Sequence, residues 1–217
     1  MKFDASVTSE LLDGMRHAKQ TIARAGLIVL PTDTVYGIGC DAFSAFAVNS
    51  LLEAKGRGRQ SPPPVLIPSL DTLRALTSDP PQLVFTLAEK FWPGALTLIL
   101  RAQPSLNWDL GETRGTVALR MPNNELALAL LKEVGPLAVS SANLTGKPAA
   151  SNIDEAENYF GTKVGVYLDG GPAPSSKPST ILDLTEDGRV KVVRLGVLSI
   201  AQIKKCLGRE IEVVVAD

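Results

Sequence analysis

The sequence predicts a mixed α/β fold built as one domain. Three observations carry that expectation. Nine short runs rich in β-branched residues recur along the chain, and helical segments separate some of them. The strands near the C-terminus follow one another too closely for a regular βαβ repeat. The 217 residues contain no internal repeat and no linker long enough to divide them.

Taken in order, the elements justify themselves locally. Residues 9–24 read as a helix with Leu12, Met15, Lys19 and Ile22 near one face, the lysine stem snorkelling. "LIVLP" (27–31) and "VLIP" (65–68) read as strands. In "DPPQLVFTLAEKFWPG", Asp79 is the expected cap of a helix with Pro80 in its first turn, and Pro93–Gly94 ends it. "LTLIL" (96–100) and "TVALRM" (116–121) are strands. "NNELALALLKEVG" (123–135) places Leu126, Leu130 and Val134 at helical spacing and closes on Gly135. "LAVSS" (137–141) is a strand, and Ser151 with Asp154 forms the expected capping box of a helix over 152–160. The strands "VGVYL" (164–168), "STILDL" (179–184) and "VKVVRL" (190–195) follow, the first two separated by the loop 169–179. Ser199 caps "IAQIKKCLG", Gly208 closes it, and "IEVVV" (211–215) is the last strand.

Composition excludes several classes. Net charge is −1, so RNA binding, if any, does not come from bulk charge. Two distant cysteines and one histidine argue against a zinc site or disulfide scaffold, and metal ligands are expected to be none. No apolar run is long enough to span a bilayer and no secretory pattern opens the chain, so a reducing cytoplasm is the expected location.

Chemistry-bearing residues cluster at strand ends. Thr32, Asp33, Thr34 and Tyr36 surround Gly37 and Gly39, either as a ligand site or as a tight turn closed by side-chain hydrogen bonds. "LLEAKGRGRQSPPPVLIPS" (51–69) sets Lys55 and Arg57 two apart. An extended chain would aim both the same way, which suits a carboxylate or phosphate; a solvated basic turn is the bland alternative. Thr116 and Arg120 share a strand face, and Arg120 among apolar neighbours needs an anionic partner, either a buried aspartate or a ligand. Ser140, Ser141 and Asn143 end another strand, and Ser179, Thr180 and Arg194 lie near further strand ends. Trp92 reads as packing, or as a pocket wall. Neither serine lies in a nucleophile elbow. The pattern is that of an anion and nucleotide pocket without a covalent nucleophile.

The stretches "PTDTVYGIGCDA", "KGR" (55–57), "FWPGALT", "TVALRMP", "AVSSANLTGKP", "PSTILDL" and "RLG" (194–196) together resemble the YrdC-like family. The resemblance implies a twisted mixed sheet with flanking helices around a large positively charged cavity, as one domain over 1–217 with its core at about 8–200. It also implies an enzyme, a nucleotidyltransferase. Such an enzyme joins L-threonine, bicarbonate or CO2, and ATP into threonylcarbamoyl-adenylate and pyrophosphate, with Mg2+ held mainly by the nucleotide phosphates. A transferase complex downstream then modifies adenosine 37 of tRNA. By position, the resemblance makes Lys55 and Arg57 the catalytic cations. It puts Thr32, Thr34, Tyr36, Arg120, Ser140 and Ser179 or Thr180 around threonine. It puts Arg57, Ser61, Thr116, Ala142, Asn143, Ser151 and Arg194 around the nucleotide. Gly58, Ser61, Leu66 and Asn124 depart from the common pattern; some members have a threonine-contacting histidine near Leu66. The length after Arg194 matches the short, single-domain form. The rival readings are a non-catalytic paralogue of the same fold that binds nucleotide or RNA without making the adenylate, the carbamoyl-adenylating module of hydrogenase maturation, whose zinc-binding cysteine motifs are absent, and a non-catalytic module that binds tRNA or double-stranded RNA tightly; RNA binding by the enzyme itself is expected to be weak at most.

Overall fold

The computed structural model of the chain describes residues 1–208 and 212–215. Among these residues, eleven strands form one mixed sheet: β1 (Lys2–Asp4), β2 (Ile28–Leu30), β3 (Gly37–Asp41), β4 (Val65–Leu66), β5 (Leu96–Arg101), β6 (Thr116–Arg120), β7 (Leu137–Ser141), β8 (Val166–Asp169), β9 (Thr180–Asp183), β10 (Arg189–Arg194) and β11 (Glu212–Val215). Their order across the sheet is β1-β8-β2-β3-β7-β4-β6-β5-β9-β10-β11. Among the described residues, seven α-helices flank it: α1 (Thr8–Ala23), α2 (Ala45–Lys55), α3 (Leu70–Leu76), α4 (Gln82–Phe91), α5 (Glu125–Val134), α6 (Ile153–Phe160) and α7 (Ile200–Leu207). Residue 211, at the head of the expected last strand, lies outside the described residues. No helix among them is long and apolar enough to cross a membrane.

The two faces of the sheet are covered unequally. One face packs Val29, Ile38, Val65, Leu98, Leu119 and Leu182 against α2, α3, α4, α6 and α7. The other buries Ile28, Leu30, Leu137, Val139, Val166 and Leu168 under α1 and α5 alone. Those two helices reach only the β1–β8–β2–β3–β7 side and Leu66 of β4. Beyond it, the same face of β5, β6 and β9 carries Thr97, Ile99, Thr116, Ala118, Arg120 and Ile181, alternating with the buried leucines and valines of the other face. That uncovered half-face is the floor of a cavity.

Several local expectations change. The buried stripe of α1 is Gly14, Ala18 and Ile22, while Leu12 is 67% exposed and Lys19 pairs with Glu133 at the surface. Small residues win the inner face because α1 lies close on the sheet: a Cβ at Gly14 would come within 2.9 Å of Leu168 and Phe3. Asp79 does not cap α4; it adopts a positive φ, and Pro81 precedes the helix. Asn152, not Ser151, caps α6 by accepting from Glu155 N–H, while the Ser151 N–H and hydroxyl both reach the Glu155 carboxylate. The Ser199 box is present, with Gln202 as its reciprocal partner. Asn124, the departure noted above, caps α5.

Four elements escaped the sequence reading: β1, β3, α2 and α3. Strand β3 is hidden because Gly37 and Gly39 hide its alternation. Both glycines face Val139 of the adjacent β7, where a Cβ would lie 2.6 and 2.8 Å from its methyl groups. Helix α2 starts on Ser44, whose side chain accepts from Ala47 N–H, and ends where Gly56 turns left-handed. The glycine at position 39 yields a direct test. Gly39→Ala is expected to cost about 1–3 kcal/mol by overpacking against Val139, read as a lower urea midpoint at unchanged slope.

Candidate active site

The cavity over the uncovered half-face has a volume of about 280 Å3. Its lining carries Arg57, Arg120 and Arg194 and, among the described residues, no aspartate or glutamate. Hydroxyls of Thr32, Thr34, Thr97, Thr116, Ser140 and Ser179 line it beside them.

Arg120 is the most constrained of the three cations. It ends β6, and its side chain is 8% exposed. Its Nη2 donates to Asp33 Oδ1 at 2.6 Å, Nη1 to Thr34 Oγ1 at 3.0 Å, and Nε to the Gly94 carbonyl at 3.0 Å. The Asp33 oxygen also accepts from Asn123 N–H. The partner that Arg120 demanded is therefore an aspartate, and Asp33 belongs to the site rather than merely to a turn. Burial pulls the guanidinium below its ordinary value and Asp33 opposes that pull; an arginine keeps its proton regardless. Five guanidinium N–H groups meet three acceptors here, which leaves donors for a ligand.

Arg57 donates to Ser140 Oγ at 3.3 Å and to Thr145 Oγ1 at 3.2 Å. Arg194 holds the Ser179 carbonyl through Nε and Nη2, and reaches Ser179 Oγ at 3.2 Å. Burial lowers the Arg194 pKa, and the charges of Arg120 and Arg57 lower it further. Its presence here depends on a bulge. Val190 and Val192 point into the helix-covered face, and strict alternation would send residue 194 after them. The register slips between Val192 and Arg194, so Arg194 pairs with Ile181 and enters the cavity.

The same pleat separates Ser179 from Thr180. Ser179 lines the cavity, whereas Thr180 faces the covered side, where its hydroxyl donates to the Leu198 carbonyl and accepts from Gly196 and Leu198 N–H. Thr180 is therefore a strut of the 196–198 turn and not a cavity residue. Tyr36 presents its ring to the cavity, but its hydroxyl donates to the Gly171 carbonyl at 2.6 Å and accepts from Gly170 N–H. Burial raises its pKa well above the ordinary phenol value. Thr32 donates to the Val35 carbonyl and accepts from Thr34 N–H, which braces the loop before β3.

Lys55 does not share an extended loop with Arg57. It is the last residue of α2, 1% exposed, and absent from the cavity lining. Its Nζ donates to the carbonyls of Ser141 and Asn143, and its own carbonyl accepts from Thr145 N–H and Oγ1. It clamps the loop after β7 from behind. Burial, then the Arg57 charge, pushes its ammonium down to about 7. Ser61 is also outside the lining, although the prolines after it, Pro62–Pro64, form a wall. Ala142 is fully buried, and Ser151 is exposed and engaged with Glu155. Asn143 donates its amide to the carbonyls of Leu144 and Lys147, and its Oδ1 is buried without a partner. Trp92 packs in the core, donating to the Leu96 carbonyl.

Thr97 and the apolar wall Val139 are among the residues that sequence reasoning did not place in the site, and it did not name Asp33 as the partner of Arg120. Asp33 had a signal in its neighbours Thr32 and Thr34; Thr97 had only its inward parity on β5.

Lys55 sets a pH dependence. With a folded value near 7 and an ordinary value of 10.5, the folded chain binds fewer protons between those limits. Its contribution to stability therefore rises with pH from about 7 and is lost as pH falls through it. Lys55→Met is expected to remove that rise from the melting temperature measured between pH 6 and 9.5; parallel profiles for the two proteins would show that Lys55 titrates normally.

A family model for Sua5/YciO/YrdC, described as telomere recombination, matches residues 20–196. A Mycobacterium leprae protein is 48% identical over 206 residues, covering 95% of this chain and 93% of its own. The Bacillus subtilis threonylcarbamoyl-AMP synthase is 39% identical over 184 residues, 84% of this chain and 53% of the relative. The crystal structure of Pyrococcus abyssi Sua5 complexed with L-threonine superposes with a TM-score of 0.88 at 33% identity, covering 98% of this chain and 62% of that one.

Proposed function

The chain belongs to the Sua5/YciO/YrdC family, and from that premise we propose that it is a threonylcarbamoyl-AMP synthase. The observation that carries the reading is the convergence of three arginines on one cavity with no carboxylate in its lining. Such a site suits ligands that bring several negative charges, and the proposed substrates are L-threonine, bicarbonate or CO2, and ATP. The relatives named for this activity and the threonine-bound structure support the assignment.

In this reading the cavity has two ends. Arg120, fixed by Asp33, takes the threonine carboxylate, with the hydroxyls of Thr34, Ser140 and Ser179 around the amino acid. Arg57 and Arg194, with Thr116, take the nucleotide phosphates. Asn143, whose buried Oδ1 has no partner, lies in the loop after β7 outside the cavity lining, and we assign that loop to the nucleotide. Lys55 acts on the phosphates through that loop, not by contact. Among the described residues no cluster of three or more His, Cys, Asp or Glu could hold a metal. The proposed Mg2+ is therefore held by phosphate oxygens, where it would offset their charge.

The chemistry asks little beyond placement and charge. The threonine amine adds to the carbon of bicarbonate or CO2; with bicarbonate, water leaves as the carbamate forms. A carbamate oxygen then attacks the α-phosphorus. The bond to the bridging oxygen breaks, and pyrophosphate leaves with the electron pair. Two anions must approach, and charge grows on the leaving oxygen, so fixed guanidinium groups lower the barrier. Holding both reactants in one cavity lowers it further. The adenylate would then pass to a transferase complex acting on adenosine 37 of tRNA.

The test is pyrophosphate release from ATP, with the nucleotide product identified by mass. Release is expected to require both L-threonine and bicarbonate. Folded, ATP-binding protein that makes no such product would favour a non-catalytic binding paralogue. Arg57→Ala is expected to lower kcat/KM by about 10²–10³, as for loss of one oxyanion donor. Its melting temperature is expected to stay within a few degrees, because the Arg57 side chain makes only two long hydrogen bonds, to the hydroxyls of Thr145 and Ser140. Parallel losses of activity and melting temperature would contradict that role.

A further inference from the structure

Thr97 and Ser179 form a buried hydroxyl pair whose protons cannot all be used inside the protein. Thr97 is 1% exposed and Ser179 5%, and both line the cavity. Their oxygens lie 2.8 Å apart, so one hydroxyl donates to the other. That bond consumes one of the two protons. Arg194 Nη2 donates into Ser179 Oγ, which occupies an oxygen lone pair and supplies no acceptor. Neither hydroxyl has any other hydrogen-bond acceptor among the described residues. Whichever way the pair is oriented, one O–H is left over, and a buried donor without an acceptor is costly.

We infer that Thr97 is a further ligand-binding residue, and that the Thr97–Ser179 pair delivers one hydrogen bond to an oxyanion of the substrate beside Arg194. The strand parity supports this. Thr97 is the inward residue of β5 between Leu96 and Leu98, which are buried in the opposite face. A polar side chain there has only the cavity to address. The position of Arg194 supplies the charge that an oxyanion would need, so its carboxylate or phosphate oxygen would accept from both groups. The inference rests on the proposal that the cavity takes the two anionic substrates.

Calorimetric titration of the full chain with L-threonine, and separately with inorganic pyrophosphate, tests it. The variants are Thr97→Val, Thr97→Ser, Ser179→Ala and the double Thr97→Val/Ser179→Ala. Thr97→Val is expected to weaken one of the two ligands about tenfold, as for a lost hydrogen bond to a charged group. Loss confined to L-threonine assigns the acceptor to a carboxylate; loss confined to pyrophosphate assigns it to a phosphate oxygen. Thr97→Ser is expected to restore affinity. The double variant is expected to be little weaker than Thr97→Val alone, because Ser179 donates to Thr97 and the ligand receives its hydrogen bond from Thr97. A merely structural threonine would lower the melting temperature without this ligand selectivity or non-additivity. If wild type binds and Thr97→Val binds both ligands within twofold of it, the inference is overturned alone. If wild type binds neither ligand, the underlying functional reading fails and takes the inference with it.

Discussion

Two helices cannot cover one face of an eleven-stranded sheet, and the site follows from that shortfall. Neighbouring strands are spaced about 4.8 Å apart, so eleven of them extend roughly 50 Å, whereas a helix with its side chains is about 10 Å across. Five helices cover one face; α1 and α5 cover only part of the other. The β4–β6–β5–β9 portion is left as a concave floor. Its inward positions carry Thr97, Thr116, Arg120, Ala118 and two isoleucines, Ile99 and Ile181, between the leucines and valine that each strand buries in the other face. The same alternation that builds the core thus assigns the cavity its chemistry.

Positive charge is then delivered to that floor by three different devices. Arg120 arrives by strand parity and is held by Asp33, Thr34 and Gly94. Arg194 arrives because a bulge reverses its side. Arg57 arrives because Gly56 ends α2 with a left-handed residue and redirects the chain. Asp33 offsets one charge and fixes its geometry. The other two guanidiniums face hydroxyls and a carbonyl, which orient them without neutralising them. A buried ion pair is weak evidence for stability, but here it pre-positions a cation whose remaining donors face the cavity. Mutual repulsion among the arginines is consistent with the lowered Arg194 pKa. An anionic ligand relieves it.

Much of this was legible in residue types. The strand runs, the helix over 125–134 with Gly135 beyond it, and the Ser199 cap all came from local chemistry. The clustering of Thr32, Thr34, Thr116, Arg120, Ser140, Ser179 and Arg194 was visible as polar residues at strand ends, and all seven line one cavity. What failed did so for identifiable reasons. Gly37 and Gly39 have no side chains to show an alternation, so the segment reads as a ligand site or a tight turn and not as the strand β3. "KGRGR" hid the end of α2, so Lys55 was aimed at the ligand when it is turned inward onto carbonyls. Reading α1 by hydrophobicity favoured Leu12, whereas close packing selected Gly14 and Ala18. Thr180 and Ser179 could not be told apart until the pleat was known. Thr97 looked like an ordinary β-branched strand residue.

The most direct measurement is a crystal structure of the chain with L-threonine and a non-hydrolysable ATP analogue. The account predicts both ligands over the uncovered half-face, the carboxylate on Arg120 and the phosphates between Arg57 and Arg194, with Lys55 still on its two carbonyls. Ligand density elsewhere, for instance in the groove between α1 and α5 lined by Leu12 and Leu126, would contradict it. So would a Lys55 that leaves Ser141 and Asn143 to contact phosphate.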